Sequence, residues 1–433
     1  MTFQPIHIRN FKIICGIPLF VILIYNFKVS NSLKYEANGD AFDYIHLATS
    51  LGKTGVYGHT SFNRGELLEL FKTNKIEHLK VNEAKPTAFR PPVWPFLIAG
   101  IFILFGYNLT YILIFKFLLH LLGIFIVYKT LKLLKLKEVL IIFGCFLYAI
   151  HPAWQLYSRV FLSEPITFFF MSLWVYLLIR YIQQKEGFFI QSLVAGIIIL
   201  SHPYYLFLPF SVWLALFIYK QFSFKKLFIS AIICISVVSV WFIRNYMVLD
   251  ANQVVLTTSS GAVMAKGWNK DVPRLHTNTK GDLADETLVL KDYSFNEKKS
   301  RNEVARMNLY KDATLDFIKT NPDLIFPIIG KKLISAFNPF PETARPGFLE
   351  TGRVIFQVLA LFTLIFYVFF SKNKYLRSFA IALVFSTIAI SVVTYSGFRF
   401  RMPQASLELL LMLAMLGEIF PALKTKLQKG RQL

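Results

Sequence analysis

The sequence predicts an all-α, polytopic membrane protein with about ten transmembrane helices, within a range of about eight to thirteen. Composition is the first indication, because 55% of the 433 residues are hydrophobic and 45 of them are phenylalanine. The second is the recurrence of apolar runs close to the length of about 20 residues that a helix needs to cross the hydrocarbon core. The third is the placement of basic residues in the short segments between those runs.

Ten apolar runs are the candidate spans. They lie near residues 11–27, 109–128, 139–155, 163–182, 188–201, 203–219, 227–243, 353–371, 376–396 and 404–421. We expect the first to be a retained helix rather than a cleaved signal peptide, since no small-residue cleavage pattern follows it. Cys15, Cys145 and Cys234 lie inside apolar runs without metal-site spacing and are expected to be small packing residues.

The net charge of +22 is concentrated between the spans. Basic residues cluster at Lys129–Lys137, Arg180–Lys185, Lys220–Lys226, Lys372–Arg377 and Lys424–Arg431. This pattern is typical of the positive-inside rule and places these loops and both termini in the cytoplasm. Anionic lipid head groups are a sufficient partner for the charge, so nucleic acid is not required.

The predicted topology depends on whether residues 93–107 cross the membrane or lie along its outer face. A crossing would place the Lys129–Lys137 cluster outside, so we predict an interfacial helix instead. Residues 1–433 then form a single transmembrane domain, with a first external loop at 28–108 that holds interfacial helices, a short external turn at His151–Glu164 and a large external loop at 244–352. Within the large loop, Glu297–Thr320 and Asp323–Phe337 are predicted to be helical.

On this topology the conspicuous polar residues gather on the external side. They are Asp40, Asp43, Tyr44, Arg90, Glu164, His202, Arg244, Asn245, Arg399 and Arg401. Ionisable groups at the edge of a bilayer are costly to hold, so they are candidates for function. The convergence of carboxylates and guanidiniums from five of these segments predicts one site at one membrane face.

The carboxylates have both structural and catalytic interpretations. Asp40 is either the N-cap of a helix or a general base that takes a proton from a hydroxyl, with Tyr44 one turn further on. Glu164 precedes Pro165, which favours the first turn of a helix. It is alternatively a second carboxylate of the site, where it positions the acceptor or holds Mg²⁺ or Mn²⁺ together with Asp40 or Asp43.

The arginines also have two interpretations. Each can extend its charged end to the interface, or its guanidinium can bind the phosphate of an anionic lipid. His202 is expected to be structural, although its chemistry permits proton transfer. The sequence has no phosphate loop, dinucleotide fingerprint, zinc-protease motif or nucleophile elbow, and Ser259-Ser260-Gly261 and Lys266-Gly267-Trp268 are predicted to be turns.

Short motifs in a fixed order carry a resemblance over nearly the whole chain. They are Asp40-Ala41-Phe42-Asp43-Tyr44, Ala88-Phe89-Arg90-Pro91-Pro92-Val93-Trp94-Pro95, Leu162-Ser163-Glu164-Pro165, Trp241-Phe242-Ile243-Arg244-Asn245-Tyr246 and Arg399-Phe400-Arg401-Met402-Pro403. With them the chain resembles the membrane glycosyltransferases of the C-type fold, in the superfamily of protein mannosyltransferases and lipid A aminoarabinose transferases.

The resemblance implies a polyprenyl-phosphate-linked sugar donor and inverting transfer to a glycan, lipid or protein hydroxyl on the external face. It implies that Asp40, rather than Asp43, is the base and that Glu164 is the second acidic position. It assigns binding of the lipid phosphate to Arg90, Arg244, Arg399 and Arg401. Relatives often carry arginine where this chain has His202-Pro203, so the corresponding donor contact differs.

Transport is the alternative function. A secondary transporter or a flippase for lipid-linked substrates is also polytopic, but it places ionisable residues near the bilayer midplane in repeated halves. Here the charged residues lie at one face and no repeat is evident. The Lys-, Ile- and Phe-rich composition favours a bacterial inner membrane protein with its active site facing the periplasm or the cell exterior.

Overall fold

A computed structural model of the protein describes residues 39–62, 64–73, 76, 79, 81, 83–158, 160–249, 253–274, 285–290, 302–340, 347–395 and 397–430. The first predicted span at 11–27, with Cys15, lies outside these ranges, as does the start of the predicted helix at 297–320. Regular structure in the described ranges is helical apart from one two-stranded sheet. The predicted all-α class is confirmed.

The segment before the long helices is compactly folded. It comprises α1 (Asp40–Thr54), β1 (Gly58–His59), α2 (Arg64–Lys72), β2 (Lys85–Pro86) and α3 (Val93–Phe105). The two strands are antiparallel, with Gly58 opposite Pro86. Thirteen residues make α3 about 20 Å long, which is short of the roughly 30 Å hydrocarbon core.

The long helices follow in two groups around the large loop. The first group is α4 (Leu109–Leu133), α5 (Glu138–Ala149), α6 (Pro152–Ser158), α7 (Glu164–Gln184), α8 (Phe188–Ser201), α9 (Leu208–Ile218) and α10 (Phe224–Val248). The loop contains α11 (Ser260–Gly267), α12 (Glu303–Thr320) and α13 (Ile325–Phe337). The last group is α14 (Phe348–Phe369), α15 (Lys374–Val393), α16 (Phe398–Arg401) and α17 (Ala405–Gly430). Short 3-10 turns occupy Pro203–Tyr205, Val272–Arg274, Glu286–Leu290, Pro322–Leu324 and Met402–Gln404.

Seven helices in the described part of the chain are long and apolar enough to cross a membrane. They are Leu109–Leu133, Glu138–Ser158, Glu164–Gln184, Phe224–Val248, Phe348–Phe369, Lys374–Val393 and Arg399–Ile419. The predicted runs at 188–201 and 203–219 are helical but shorter than this length. The polytopic class is therefore supported, whereas the described residues do not confirm a number of about ten.

Two local predictions are wrong. The segment His151–Glu164 is not a simple turn, because the helix from Glu138 ends at Ala149 and a new helix begins at Pro152. Proline lacks the N–H that would continue the first helix and is well suited to open the second. The predicted turns around Gly261 and Gly267 form α11 instead. Packing of α11 against the rest of the loop outweighs the turn preference of its serines and glycines.

One end of the helix bundle gathers the acidic and arginine motifs, and we call it the polar end. Trp94 donates from Nε1 to the carbonyl oxygen of Phe161 at 2.9 Å, which ties the start of α3 to the approach of α7. Tyr205 donates to the carbonyl oxygen of Phe400 at 2.6 Å, which ties the turn after α8 to α16. Asp40, Arg90, Glu164, His202 and Arg399 lie at this end.

The opposite, basic end gathers the lysine-rich loops. Asn373 donates to Glu418 at 3.3 Å, and the Lys226 ammonium lies 5.1 Å from the centre of the Tyr181 ring. A Cβ on Gly417 would approach the Leu136 side chain to 2.5 Å, which places the end of α4 here as well. The carboxylate site and the basic clusters are therefore at opposite ends of the bundle.

A buried polar network joins four of the central helices. The Gln191 Oε1 on α8 accepts hydrogen bonds from the indoles of Trp174 on α7 and Trp213 on α9. Its amide nitrogen donates to Ser230 on α10 at 3.1 Å. Each polar group in the network has a partner, so the network fixes the relative positions of these helices without a desolvation penalty.

Candidate active site

The first residues of α1 place two carboxylates beside an arginine. Gly39 occupies the N-cap position with a φ of 51°, a left-handed conformation that favours glycine. Asp40 is therefore the first helical residue rather than the N-cap, and its side chain turns to Arg90. The Arg90 Nη2 lies 2.6 Å from Asp40 Oδ1 and 2.7 Å from Asp43 Oδ2, and its Nε donates to Asp43 Oδ2 at 2.9 Å.

A second arginine bridges Asp40 to the other predicted acid. The Arg399 Nη2 donates to Asp40 Oδ2 at 2.7 Å, and its Nε donates to Glu164 Oε1 at 2.5 Å. Glu164 is the first residue of α7 and is only 2% exposed. Its other oxygen, Oε2, is buried without a hydrogen-bond partner among the described residues. Four chain segments thus meet in one network of three carboxylates and two guanidiniums.

The charges in this network stabilise one another. Burial raises the pKa of Asp40, but attraction to Arg90 and Arg399 outweighs it, and the resulting pKa lies below the ordinary value. Burial lowers the pKa of Arg90, but attraction to Asp40 outweighs it and leaves this pKa raised. Burial raises the pKa of Tyr44, whose hydroxyl lies 3.3 Å from Ser163 Oγ, to about 12. At neutral pH, Asp40 is an anion, Arg90 a cation and Tyr44 a neutral phenol.

The network opens into a cavity of about 310 Å³ at the polar end. Asp40, Tyr44, Arg90, His202 and Arg399 line it, as the sequence motifs led us to expect of one site. The large loop between α10 and α14 supplies a further wall, with Thr257, Ser259, Ser260, Lys266 and Glu286. The volume is within the range of pockets that bind small molecules.

No sequence motif selects Lys266 or Glu286. Lys266 lies in a segment predicted to be a turn, and Glu286 follows 20 residues later without a motif. Both residues reach the cavity only because the large loop folds back onto the bundle. The interior lysine Lys116 was also missed, although a lone cation inside an apolar run is a usable signal. Its ammonium donates to the carbonyl oxygens of Val160 at 2.6 Å and Tyr157 at 3.2 Å, just before Glu164.

Arg244 and Asn245 lie apart from the cavity and support its wall. The Arg244 guanidinium donates to the carbonyl oxygens of Thr87 at 2.7 Å and Tyr57 at 2.8 Å. Asn245 donates to the carbonyl oxygen of Val255 at 2.9 Å. Because Thr87 is three residues before Arg90, these contacts fix the loop that carries Arg90. The geometry gives Arg244 a supporting position rather than a place on the cavity surface.

Arg401 is also a predicted site residue whose side chain contacts another part of the protein. It is 2% exposed, donates from Nη2 to Glu408 Oε1 at 2.8 Å and from Nη1 to the carbonyl oxygen of Ala336 at 3.1 Å. It does not line the cavity that contains Arg399, although only Phe400 separates the two in sequence. Arg90 and Arg399 are therefore the two predicted phosphate-binding arginines that the structure brings together at Asp40.

The predicted carboxylate set does not fit a divalent cation in this arrangement. Mg²⁺ and Mn²⁺ prefer oxygen ligands, and carboxylates are the side chains that usually supply them in proteins. Both oxygens of Asp40, one of Asp43 and one of Glu164 instead contact guanidiniums. Across the described ranges, no group of three or more His, Cys, Asp or Glu side chains is arranged to hold a metal ion.

A comparison with known protein families gives a match to the part of the chain that contains several of these site residues. Residues 89–243 match the sequence profile of the dolichyl-phosphate-mannose-protein mannosyltransferase family. The match supports a membrane glycosyltransferase. It confirms the resemblance that the sequence motifs indicated, and the matched region includes Arg90, Glu164 and His202. A search of curated proteins found no match.

Among solved structures, the chain is similar to ArnT from Cupriavidus metallidurans, in a crystal structure bound to undecaprenyl phosphate. The two chains are 12% identical, and the alignment covers 93% of this chain and 78% of that one with a TM-score of 0.40. A score at this level carries no argument about the site, so the assignment depends on the family match and on the geometry described above.

Proposed function

We propose that this membrane glycosyltransferase moves a sugar from a polyprenyl-phosphate carrier to an acceptor hydroxyl, with Asp40 as the general base. The observation that carries the proposal is the position of Asp40 in the cavity, between two guanidiniums. A carboxylate beside a fixed pair of cations can receive a proton from the nucleophile while the cations stabilise a departing anion. The family name, which specifies a dolichyl-phosphate sugar donor, supports this donor class.

Arg90 and Arg399 are the proposed contacts of the donor phosphate. A guanidinium presents two parallel N–H groups that match two phosphate oxygens. In the reaction, the acceptor oxygen forms a bond to the anomeric carbon and the bond from that carbon to the phosphate oxygen breaks. The acceptor proton moves to Asp40, and the electron pair leaves with the polyprenyl phosphate, whose negative charge the two arginines stabilise.

Donor binding must change the pairing of Asp40. In the structure, each Asp40 oxygen accepts a hydrogen bond from one arginine, and this pairing keeps the pKa of Asp40 low. A low pKa makes Asp40 a weak base. Phosphate oxygens that take over part of the hydrogen bonding of Arg90 and Arg399 would leave a carboxylate oxygen available to the acceptor. We therefore infer that the donor binds before the acceptor.

The proposed site faces the outside of the cell. Support comes from the separation of charges, because the lysine-rich loops lie at the basic end and the carboxylate network lies at the polar end. Under the positive-inside rule the basic end is cytoplasmic. In a bacterial cell the polar end would then face the periplasm, where lipid-linked sugars are available as donors and the acceptor is a glycan, lipid or protein.

The test is sugar transfer from radiolabelled polyprenyl-phosphate sugars in membranes that contain wild-type protein, Asp40→Asn or Asp312→Asn. Asp40→Asn should lose about 10²- to 10⁴-fold in rate, which is the usual contribution of a general base. Asp312 is an exposed carboxylate on α12 away from the cavity and serves as the matched control. Equal membrane levels and equal thermal unfolding in detergent exclude loss of fold.

Two results would contradict the proposal. Transfer that continues at the wild-type rate in Asp40→Asn would show that Asp40 is not the base. Absence of transfer by the wild-type protein, together with translocation of the labelled lipid across vesicles, would favour the transporter alternative.

A further inference from the structure

A second ionic pair faces the same cavity and has no part in the reaction described above. The Lys266 Nζ lies 3.6 Å from Glu286 Oε2, and the two side chains are 22% and 33% exposed. At this distance the charges attract, but the separation exceeds an ordinary hydrogen bond. Both residues line the cavity that contains Asp40 and Arg399.

Lys266 is held by a helix fixed to both arginine-bearing segments. Before α11, the Thr258 N–H donates to the carbonyl oxygen of Ala88 at 3.0 Å, two residues ahead of Arg90. At the end of α11, Gly267 packs so closely that a Cβ there would lie 1.9 Å from the carbonyl oxygen of Thr394. The position of Lys266 relative to the reacting groups is therefore set by backbone contacts at both ends of its helix.

Glu286 is also held in position by packing. It begins the 3-10 turn Glu286–Leu290, in which Val289 and Leu290 are buried against Ala265 of α11 and Tyr310 of α12. This small apolar cluster fixes the turn against the helix that carries Lys266. The pair thus belongs to a packed wall of the cavity, and its charged groups point away from that cluster toward the cavity.

The surroundings of the pair match the chemistry of a sugar. The cavity wall presents the side chains of Thr257, Ser259, Ser260 and Thr394, together with the rings of Tyr204, Tyr395 and Phe400. An ammonium only donates hydrogen bonds and a carboxylate only accepts them, whereas each sugar hydroxyl does both. Two neighbouring hydroxyls can therefore bind Lys266 and Glu286 at once, while the C–H face of the ring packs on an aromatic side chain.

We propose that Lys266 and Glu286 bind adjacent hydroxyls of a neutral sugar ring and determine which sugar the enzyme accepts. The inference rests on the proposed glycosyl transfer. A ring that carries a carboxylate at the position facing Glu286, or an ammonium at the position facing Lys266, is disfavoured by repulsion between like charges. The ring belongs either to the donor or to a glycan acceptor, and both sources present the same pair of hydroxyls.

The test is steady-state kinetics with the full-length protein in membranes, in which donor and acceptor are varied separately. Lys266→Met and Glu286→Gln should each raise the KM for one substrate by about 10- to 100-fold, as expected for loss of a hydrogen bond to a charged group, and should lower kcat much less. A rise confined to the donor KM assigns the ring to the donor, and a rise confined to the acceptor KM assigns it to the acceptor.

Two further variants separate binding from folding. Lys266→Arg keeps a cationic donor and should retain a KM closer to wild type than Lys266→Met does. Lys270→Met changes an exposed lysine four residues away that does not line the cavity, and it should leave both KM values unchanged. For whichever substrate shows the change in KM, the wild type should prefer the neutral sugar over the corresponding uronic acid in direct competition, and Glu286→Gln should reduce that preference.

The outcomes distinguish this inference from the proposed function. Transfer by the wild type with unchanged KM values in both Lys266→Met and Glu286→Gln would overturn the inference and leave the proposed function intact. Absence of transfer by the wild type would overturn both.

Discussion

At the scale of single residues, the chemistry of the site depends on how Asp40 is paired. A general base works best when its pKa is near the working pH, yet the pKa of Asp40 lies below its ordinary value. The cause is the pair of guanidiniums, which outweigh the effect of burial. The arginines that suit the donor phosphate are thus the same groups that restrain the base before the donor arrives.

Replacing Arg399 tests this coupling. Arg399→Gln removes the hydrogen bonds to Asp40 and Glu164, so the pKa of Asp40 should rise toward its ordinary value. The acid side of the pH profile of kcat/KM, where Asp40 becomes protonated, should then move to higher pH. The rate at the optimum should fall by about 10²-fold or more, because a preorganised donor to the leaving phosphate is lost.

Arg274→Gln is the control for the Arg399 experiment, since Arg274 is an exposed arginine in the large loop and does not line the cavity. It should leave the pH profile unchanged. A profile in Arg399→Gln that keeps its acid limb in place would show that the charge of Arg399 does not act on the base.

At the scale of elements, α11 is the part of the large loop that completes the cavity. Its two glycines lie against backbone, since a Cβ on Gly261 would meet the carbonyl oxygen of Met307 at 2.2 Å and one on Gly267 would meet that of Thr394 at 1.9 Å. Trp268 donates to the carbonyl oxygen of Val392 at 2.9 Å, and the Lys332 ammonium lies 3.9 Å from the centre of the same indole. Close approach at both ends keeps α11 in place.

We expect Gly267→Ala to displace α11 from the end of α15, because a backbone carbonyl cannot yield as a flexible side chain can. Transfer activity and the unfolding temperature in detergent should both fall. Gly330→Ala is the matched control, since a Cβ at Gly330 on α13 meets nothing within 4 Å. It should be neutral or stabilising by up to about 1 kcal/mol, the difference in helix propensity. Equal unfolding temperatures and activities in the two variants would contradict the close approach.

At the scale of the whole molecule, the separation of polar and basic ends predicts the orientation. In a background with Cys15, Cys145 and Cys234 replaced, Asp312→Cys should react with a membrane-impermeant maleimide in intact spheroplasts. Lys372→Cys should react only after the membrane is permeabilised. Both positions are exposed, so accessibility in the folded protein does not limit labelling. The reverse pattern would place the cavity on the cytoplasmic side.

Part of this organisation was predictable because its causes are local. Apolar runs, proline and charge are read along the chain, so the helices at Leu109–Leu133, Glu164–Gln184 and Lys374–Val393 coincide with predicted runs. Asp323–Phe337 is likewise almost entirely helical, as α13 after a short 3-10 turn. The helix break before Pro152 was missed because the run stays apolar across it.

The contacts of individual side chains were less predictable from the sequence. Arg399 and Arg401 are two residues apart, yet Arg399 contacts Asp40 and Arg401 contacts Glu408 in a separate buried cluster. Side chains two positions apart on a short helix point in different directions. The packing of neighbouring helices then determines which groups each side chain contacts. Arg244 was assigned to the same group on its motif, but it binds the backbone that supports Arg90.

The amino-acid sequence is enough to predict the membrane class, the position of most long helices and the main polar residues that gather at one end, because hydrophobicity and charge act locally. Tertiary structure alone decided the pairings. Arg399 meets Asp40 across 359 residues and Glu164 across 235, and the external loop brings Lys266 and Glu286 to the same cavity. Such contacts depend on the packing of distant segments, which no local pattern of residues specifies.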